Sequence, residues 1–168
     1  EKCLNALAGL RVDARVILFS DEKPVISNRG EVQLNANNIS GIPIFQISAE
    51  AAKAMAAGKK CHVILDFLPD FNEALLEEYI KQRMNTGGYK SAVNFLTGLF
   101  AKKLSEILCE RCKFSKKLTA ENFTEDDITN LCKQIKNFKI QIYGTNGFEH
   151  AQCCGGGVSL EEIDPSTM

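Results

Sequence analysis

The sequence predicts an α+β fold: a small β-barrel-like domain with an inserted three-helix lobe. Three observations predict it. Near the start, Val12, Ala14, Val16 and Leu18 alternate with Arg11, Asp13, Arg15 and Ile17, the period of two expected of a strand with one strongly apolar face. In the middle, apolar residues recur at helical spacing, as in Leu75, Leu76, Tyr79 and Ile80. Period two then returns in Phe138 to Tyr143. Residues 1–70 and 138–168 are therefore assigned to the barrel-like part, and 71–137 to the helical lobe.

The elements follow in order. Asp21-Glu22-Lys23-Pro24 reads as a turn, because Pro24 fixes φ and lacks a donor. A short run at Val25-Ile26, a second turn at Asn28-Arg29-Gly30 and a second strand at Glu31–Leu34 complete a meander. Asn35 to Ser40 is polar and loop-like. From about Ile44 the pattern is helical, with Ser48 as a possible cap and Gly58 as the stop. Lys60 to Phe67 reads as a strand closed by Pro69. Helices are expected over Asn72–Arg83 and over Ala92–Cys109, the latter through Val93, Leu96, Leu99, Phe100, Leu104, Ile107 and Leu108. Thr124 with Asp127 three residues on predicts a capping-box start for a third helix through Ile128, Leu131, Cys132 and Ile135. After the strand at 138–143, Gly144-Thr145-Asn146-Gly147 favours a tight hairpin turn.

Composition narrows the class. The chain has 168 residues, 45% apolar and 24% charged, in the range of a globular domain with a real core. A net charge of −1 offers no global field for nucleic acid or an anionic membrane. No apolar run approaches a membrane span, and no basic-then-apolar signal segment opens the chain. The abrupt start at Glu1 and stop at Met168 read as domain boundaries. Seven cysteines at irregular spacing argue against a disulfide framework and for a reducing, cytoplasmic setting.

The chemistry-bearing motifs are few. A dinucleotide site needs a Gly-rich turn between strand and helix, where backbone amides and the helix dipole meet the pyrophosphate. The sequence has no G-x-G-x-x-G and no P-loop; its one glycine run is Gly155-Gly156-Gly157. Three glycines read either as a plain turn or as a place where a ligand approaches bare backbone. Cys109-Glu110-Arg111-Cys112 is a C-x-x-C at a helix end, open to a structural, zinc or redox reading. His62 and His150 are the only histidines, and no catalytic triad can be assembled around them. Glu161, Glu162 and Asp164 form an acidic cluster, and Lys113, Lys116 and Lys117 a basic one beside Phe114. Both read as solvated faces.

Two stretches carry a resemblance. Gly30-Glu31-Val32-Gln33-Leu34 leading to Ile39-Ser40-Gly41-Ile42-Pro43 resembles a segment of the bacterial NAD(P)/FAD-dependent oxidoreductases that include aminoacetone-oxidase-like and bile-acid-inducible reductase-like proteins. The tail, Ala151-Gln152-Cys153-Cys154-Gly155-Gly156-Gly157-Val158 and then Glu162-Ile163-Asp164-Pro165-Ser166-Thr167-Met168, resembles that family's "AQVTxGGV…EIDPxTM" segment. Asn35 and Asn38 stand where the family usually has Thr and Gly, and Asn38 tolerates positive φ better than most residues.

The resemblance implies a role. In that family a Rossmann-like FAD domain is split, and its middle section leaves as a barrel-like domain with a helical lobe. This chain matches that excursion. It is then the substrate-side insert domain of an FAD-dependent oxidoreductase, with Gly156, Gly157 and Val158 against the flavin in the intact parent. Its partners would be the FAD-binding domain of the same polypeptide and a small-molecule substrate, with NAD(P)H as a possible electron donor and neither nucleic acid nor membrane engaged. The chain alone is expected to hold no FAD and to be inactive, without a metal. The competing reading is a non-enzymatic binding or adaptor module using the helical lobe, which requires an exposed apolar stripe on residues 91–108.

Overall fold

The structure of the protein is a computed structural model that describes residues 2–151, 157–164 and 166–167. The order is α1 (Lys2–Ala6), β1 (Leu10–Ser20), β2 (Lys23–Leu34), β3 (Ile39–Ser40), α2 (Ile42–Ala56), β4 (Cys61–Asp66), α3 (Glu73–Gly87), α4 (Ala92–Phe95), α5 (Lys102–Arg111), α6 (Glu125–Lys136) and β5 (Phe138–Ile142). The five strands form one antiparallel sheet, ordered β3-β2-β1-β4-β5, that curls as an open half-barrel. The α+β class with a barrel-like sheet and a helical lobe is therefore the fold.

The period-two pattern divides the sheet into two faces. Ala14, Val16 and Leu18 of β1 point the same way as Val32 and Leu34 of β2, Val63 and Leu65 of β4, and Phe138 and Ile140 of β5, and all are buried. α2 packs on β1 and β2, and α6 on β4 and β5, closing this face. Each fully buried Leu or Phe there contributes about 1.5–3 kcal/mol of transfer free energy. Arg11, Asp13 and Arg15 take the outer face and are exposed.

The hairpin between β1 and β2 is tighter than the sequence suggests. Ser20 pairs with Lys23, so the loop is only Asp21-Glu22, both with positive φ (46° and 62°). Two such residues match the twist of the flanking strands. Pro24 then lies inside β2, where a register shift at Leu18/Phe19 accommodates its missing donor. The second turn expected at Asn28-Arg29-Gly30 does not form: β2 runs through it as one strand.

Three further expectations are corrected. Ser48 is inside α2, which starts after Gly41, and the Ser48 hydroxyl donates to the Phe45 carbonyl instead of capping. The single helix expected over Ala92–Cys109 is two, α4 and α5, because the chain turns at Thr97–Phe100 around Gly98 at φ 92°. The hairpin at Gly144–Gly147 has no returning strand among the described residues. Other termini form as read. Asn72 caps α3 by accepting from the Leu75 amide, and Gly58 ends α2 at φ 77°. Thr124 and Asp127 make both bonds of the capping box on α6.

The lobe docks through apolar and charged contacts. Leu96, Leu104 and Leu108 are fully or almost fully buried, and Ile107 nearly so. Arg111 of α5 lays its guanidinium 3.6 Å from the Phe138 ring centroid and donates to the Lys139 carbonyl, fastening the lobe to β5. At the end of α6, Lys136 Nζ reaches 2.7 Å from Asp66 Oδ2, donates to the Leu68 carbonyl at 2.8 Å and also to that of Phe71. Asp66 in turn accepts from the Leu68 amide at 3.0 Å. This buried pair has its other bonding capacity met by backbone, the condition under which a buried ion pair is tolerated.

Candidate functional site

The first stretch that carries the resemblance has a structural explanation. Gly30 lies in β2 where α2 crosses, and a Cβ there would sit 3.1 Å from Pro43 Cγ. Gly41 is more constrained: its φ is 111°, and a Cβ would fall 2.3 Å from the Glu31 carbonyl oxygen. The two glycines let the first turn of α2 press onto the sheet, and Ile42 and Phe45 in that turn are left exposed at 70% and 47%. Asn38 does not adopt positive φ. The turn closes through side chains: the Asn35 amide donates to Asn38 Oδ1 at 2.7 Å, and the Asn35 backbone N–H to the Asn38 carbonyl.

At the tail, Gly156 lies outside the described residues, as do Cys153, Cys154 and Gly155. Gly157 and Val158 are exposed, Val158 at 68%, and among the described residues no atom lies within 4 Å of the place a Gly157 Cβ would take. The nucleotide half of a flavin finds no match among the described residues. At the two strand-to-helix junctions, β3–α2 and β4–α3, the linking residues are Gly41 alone and Phe67-Leu68-Pro69-Asp70-Phe71-Asn72. Neither is a Gly-rich turn that leaves amides free for a pyrophosphate.

The remaining candidates have ordinary roles. Cys109, Cys112 and Cys132 are buried, and desolvation pushes their thiols up, to about 11, about 12 and about 12. A thiolate nucleophile or metal ligand needs the opposite shift. Among the described residues no group of three or more His, Cys, Asp or Glu is arranged to hold a metal. His62 is buried and stacks on Phe19 at 4.9 Å between centroids with planes 7° apart. Burial holds its imidazole below the ordinary value, Lys139 adds to this, and Glu22 opposes it. His150, Glu161, Glu162 and Asp164 are exposed, as are Lys113, Lys116 and Lys117. The apolar residues of 91–108 pack inward, which removes the motive for the adaptor reading.

Sequence reading missed two charge clusters, Asp66–Lys136 and Arg29 with Asp13 and Asp70. The register of β1 against β2 places Arg29 and Asp13 on one face, but nothing local brings Asp70 to Arg29 or Lys136 to Asp66.

An open antiparallel half-barrel with a docked helical lobe defines an α+β barrel-type domain. The chain belongs to the HI0933-like family: that family's barrel and H2TH domain matches residues 1–153. It is 35% identical over 161 residues to the 3-dehydro-bile acid delta(4,6)-reductase of Clostridium scindens, covering 96% of this chain and 39% of the reductase. It is 26% identical over 168 residues to the ribosomal RNA dihydrouridine synthase of Haemophilus influenzae, covering all of this chain and 38% of that protein. The chain thus spans about two fifths of the length of these relatives. No helix among the described residues is long and apolar enough to cross a membrane.

Proposed function

We propose that the chain is the substrate-side domain of an FAD-dependent oxidoreductase that acts on a small molecule. The observation that carries the reading is the coverage: nearly all of this chain aligns with about two fifths of a reductase, and the aligned part lacks a nucleotide fingerprint. The rest of such an enzyme supplies that fingerprint, and the bound flavin supplies the redox chemistry. Within this chain, Gly156, Gly157 and Val158 form the wall against the ring. The exposed Ile42 and Phe45 at the start of α2 add apolar surface for the FAD-binding domain to cover. Pockets commonly form where two domains meet, so substrate binds at that junction. A reduced nicotinamide dinucleotide is the proposed electron source, and the cytoplasm the proposed setting. A small molecule is favoured over RNA as substrate because the better-matched relative is the bile acid reductase, and the net charge of −1 gives no field for a polyanion.

The test is flavin binding by the purified chain. The expected preparation is colourless, and titration with FAD gives no saturable quenching of flavin fluorescence. Fusing the chain into the nucleotide-binding part of the bile acid reductase, in place of that enzyme's own segment, should restore bound flavin. Stoichiometric FAD on the chain alone overturns the assignment, because the flavin site would then be its own.

A further inference from the structure

A hollow of about 260 Å³ lies where β4 leaves the sheet. β4 pairs with β1 only from Arg15 to Ser20, so the first part of β1 has β2 on one side and no strand on the other among the described residues. The chain turns away there through Phe67–Phe71, and Leu99 and Phe100 of the lobe approach from beyond. The walls are apolar: Val12, Phe67, Leu68, Phe71, Leu99 and Phe100. The mouth is charged. Arg29 engages Asp70 with two nitrogens, Nη1 to Oδ1 at 2.5 Å and Nη2 to Oδ2 at 2.8 Å. Its Nε and Nη2 also reach Asp13 Oδ2, at 3.2 and 3.0 Å.

The two carboxylates are not equivalent. Asp13 is fixed on a paired strand. Asp70 belongs to the connection after β4, its side chain is 72% exposed, and Arg15 and Lys136 also act on it electrostatically. A two-point grip on guanidinium is the geometry that any carboxylate adopts on arginine. We propose that this hollow binds a small monocarboxylate with an apolar body, anchored by Arg29, and that Asp70 occupies the ligand's place on the guanidinium until it is displaced. The exchange is balanced in charge. One carboxylate replaces another on Arg29, no new ion is buried, and the released Asp70 remains in water beside Arg15. The net gain comes from ligand carbon against the aromatic and leucine walls. A cationic ligand has less to gain, since both aspartates already share Arg29. The volume is below the roughly 300–1,000 Å³ of pockets that hold drug-sized ligands, which limits the body to about two fused rings. The residues named as lining this hollow do not include those proposed to meet the flavin, so the proposal does not rest on that reading.

The test uses the full 168-residue chain and three probes of one shape: 2-naphthoate, 2-naphthamide and 2-naphthylmethylamine. Binding is followed by amide NMR shifts. Naphthoate should move the amides of Phe67, Leu68, Asp70, Phe71, Leu99 and Phe100 and bind about tenfold more tightly than the neutral amide, the effect of one charge-assisted contact. Asp70→Asn removes the internal competitor and should tighten naphthoate binding severalfold while leaving naphthamide unchanged. Arg29→Gln should abolish the preference for naphthoate over naphthamide. Equal affinity for acid and amide, preference for the amine, shifts confined to other residues, or an Asp70→Asn protein with unaltered naphthoate affinity would each overturn the proposal. Asp70→Asn alters an exposed side chain, so its result stands even where Arg29→Gln fails to fold.

Discussion

Two ion clusters grip the connection between β4 and α3, and they differ in burial. On one side, Lys136 and Asp66 have side chains only 10% and 8% exposed, with three backbone groups completing their bonding. On the other, Arg29 holds Asp70 and Asp13 with side chains 42%, 72% and 57% exposed. Residues of one short segment, Asp66 to Phe71, serve both clusters. The buried cluster fixes where the segment starts, because removing either partner strands a charge away from water. The exposed cluster is screened and replaceable, because water solvates each charge once the pair opens. The two pKa effects on the exposed side agree in direction: Arg29 is raised, chiefly by Asp70, and Asp70 is lowered, chiefly by Arg29. One cluster is therefore suited to architecture and the other to exchange.

The comparison can be broken by mutation. The largest effect is expected for Lys136→Met, which leaves Asp66 buried and unpaired. Denaturant unfolding should show a loss of about 3–5 kcal/mol, and adding Asp66→Asn should recover much of it. The same variant should speed alkylation of Cys132, which shares α6 with Lys136 and whose thiol is held at about 12 by burial in the native protein. An unaltered alkylation rate would mean that the clamp does not govern the seating of α6. A smaller loss, about 1 kcal/mol, is expected for Thr124→Ala at the other end of that helix, where a capping box but no buried ion is removed.

Acid should act on a third, separate group. The folded protein holds His62 below its ordinary value of 6.5, so the unfolded chain binds the proton more readily. The stability from this site is complete above about 6.5 and is lost as pH falls through the lower folded value. His62→Gln should flatten that part of the stability–pH curve, and an unchanged slope would show that another group titrates there. The smallest effect is expected for Asp70→Asn, whose melting temperature should match the parent's within scatter. A large drop would place the exposed cluster beside the buried one and end the contrast between them.

Much of the fold was legible because it depends on local rules. The alternation in Val12–Leu18 fixed a two-faced strand, Asn72 and Thr124 marked helix starts, and Gly58 marked a stop. The misreadings share one cause. Gly30 looked like a turn residue, yet its missing side chain is needed for the contact with Pro43, thirteen positions on in α2. Ser48 looked like a cap, but Gly41 and Pro43 had already started that helix. The apolar spacing of 92–109 looked continuous because residues on both sides of Gly98 face the same core. Of the candidate site, the resemblance pointed to Gly157 and Val158, and the structure finds both exposed.

By itself the sequence determined the class of fold, the identity of most elements and the absence of a nucleotide fingerprint within these residues, since each is written in short-range periodicity and spacing. Only the tertiary structure decided that Lys136 meets Asp66, that Asp70 meets Arg29, and that a hollow opens between them and the lobe. Those pairs are separated by 70 and 41 positions. No local preference encodes a contact at such range; it arises when the sheet and the lobe pack their apolar faces together and bring distant charges to the same connection.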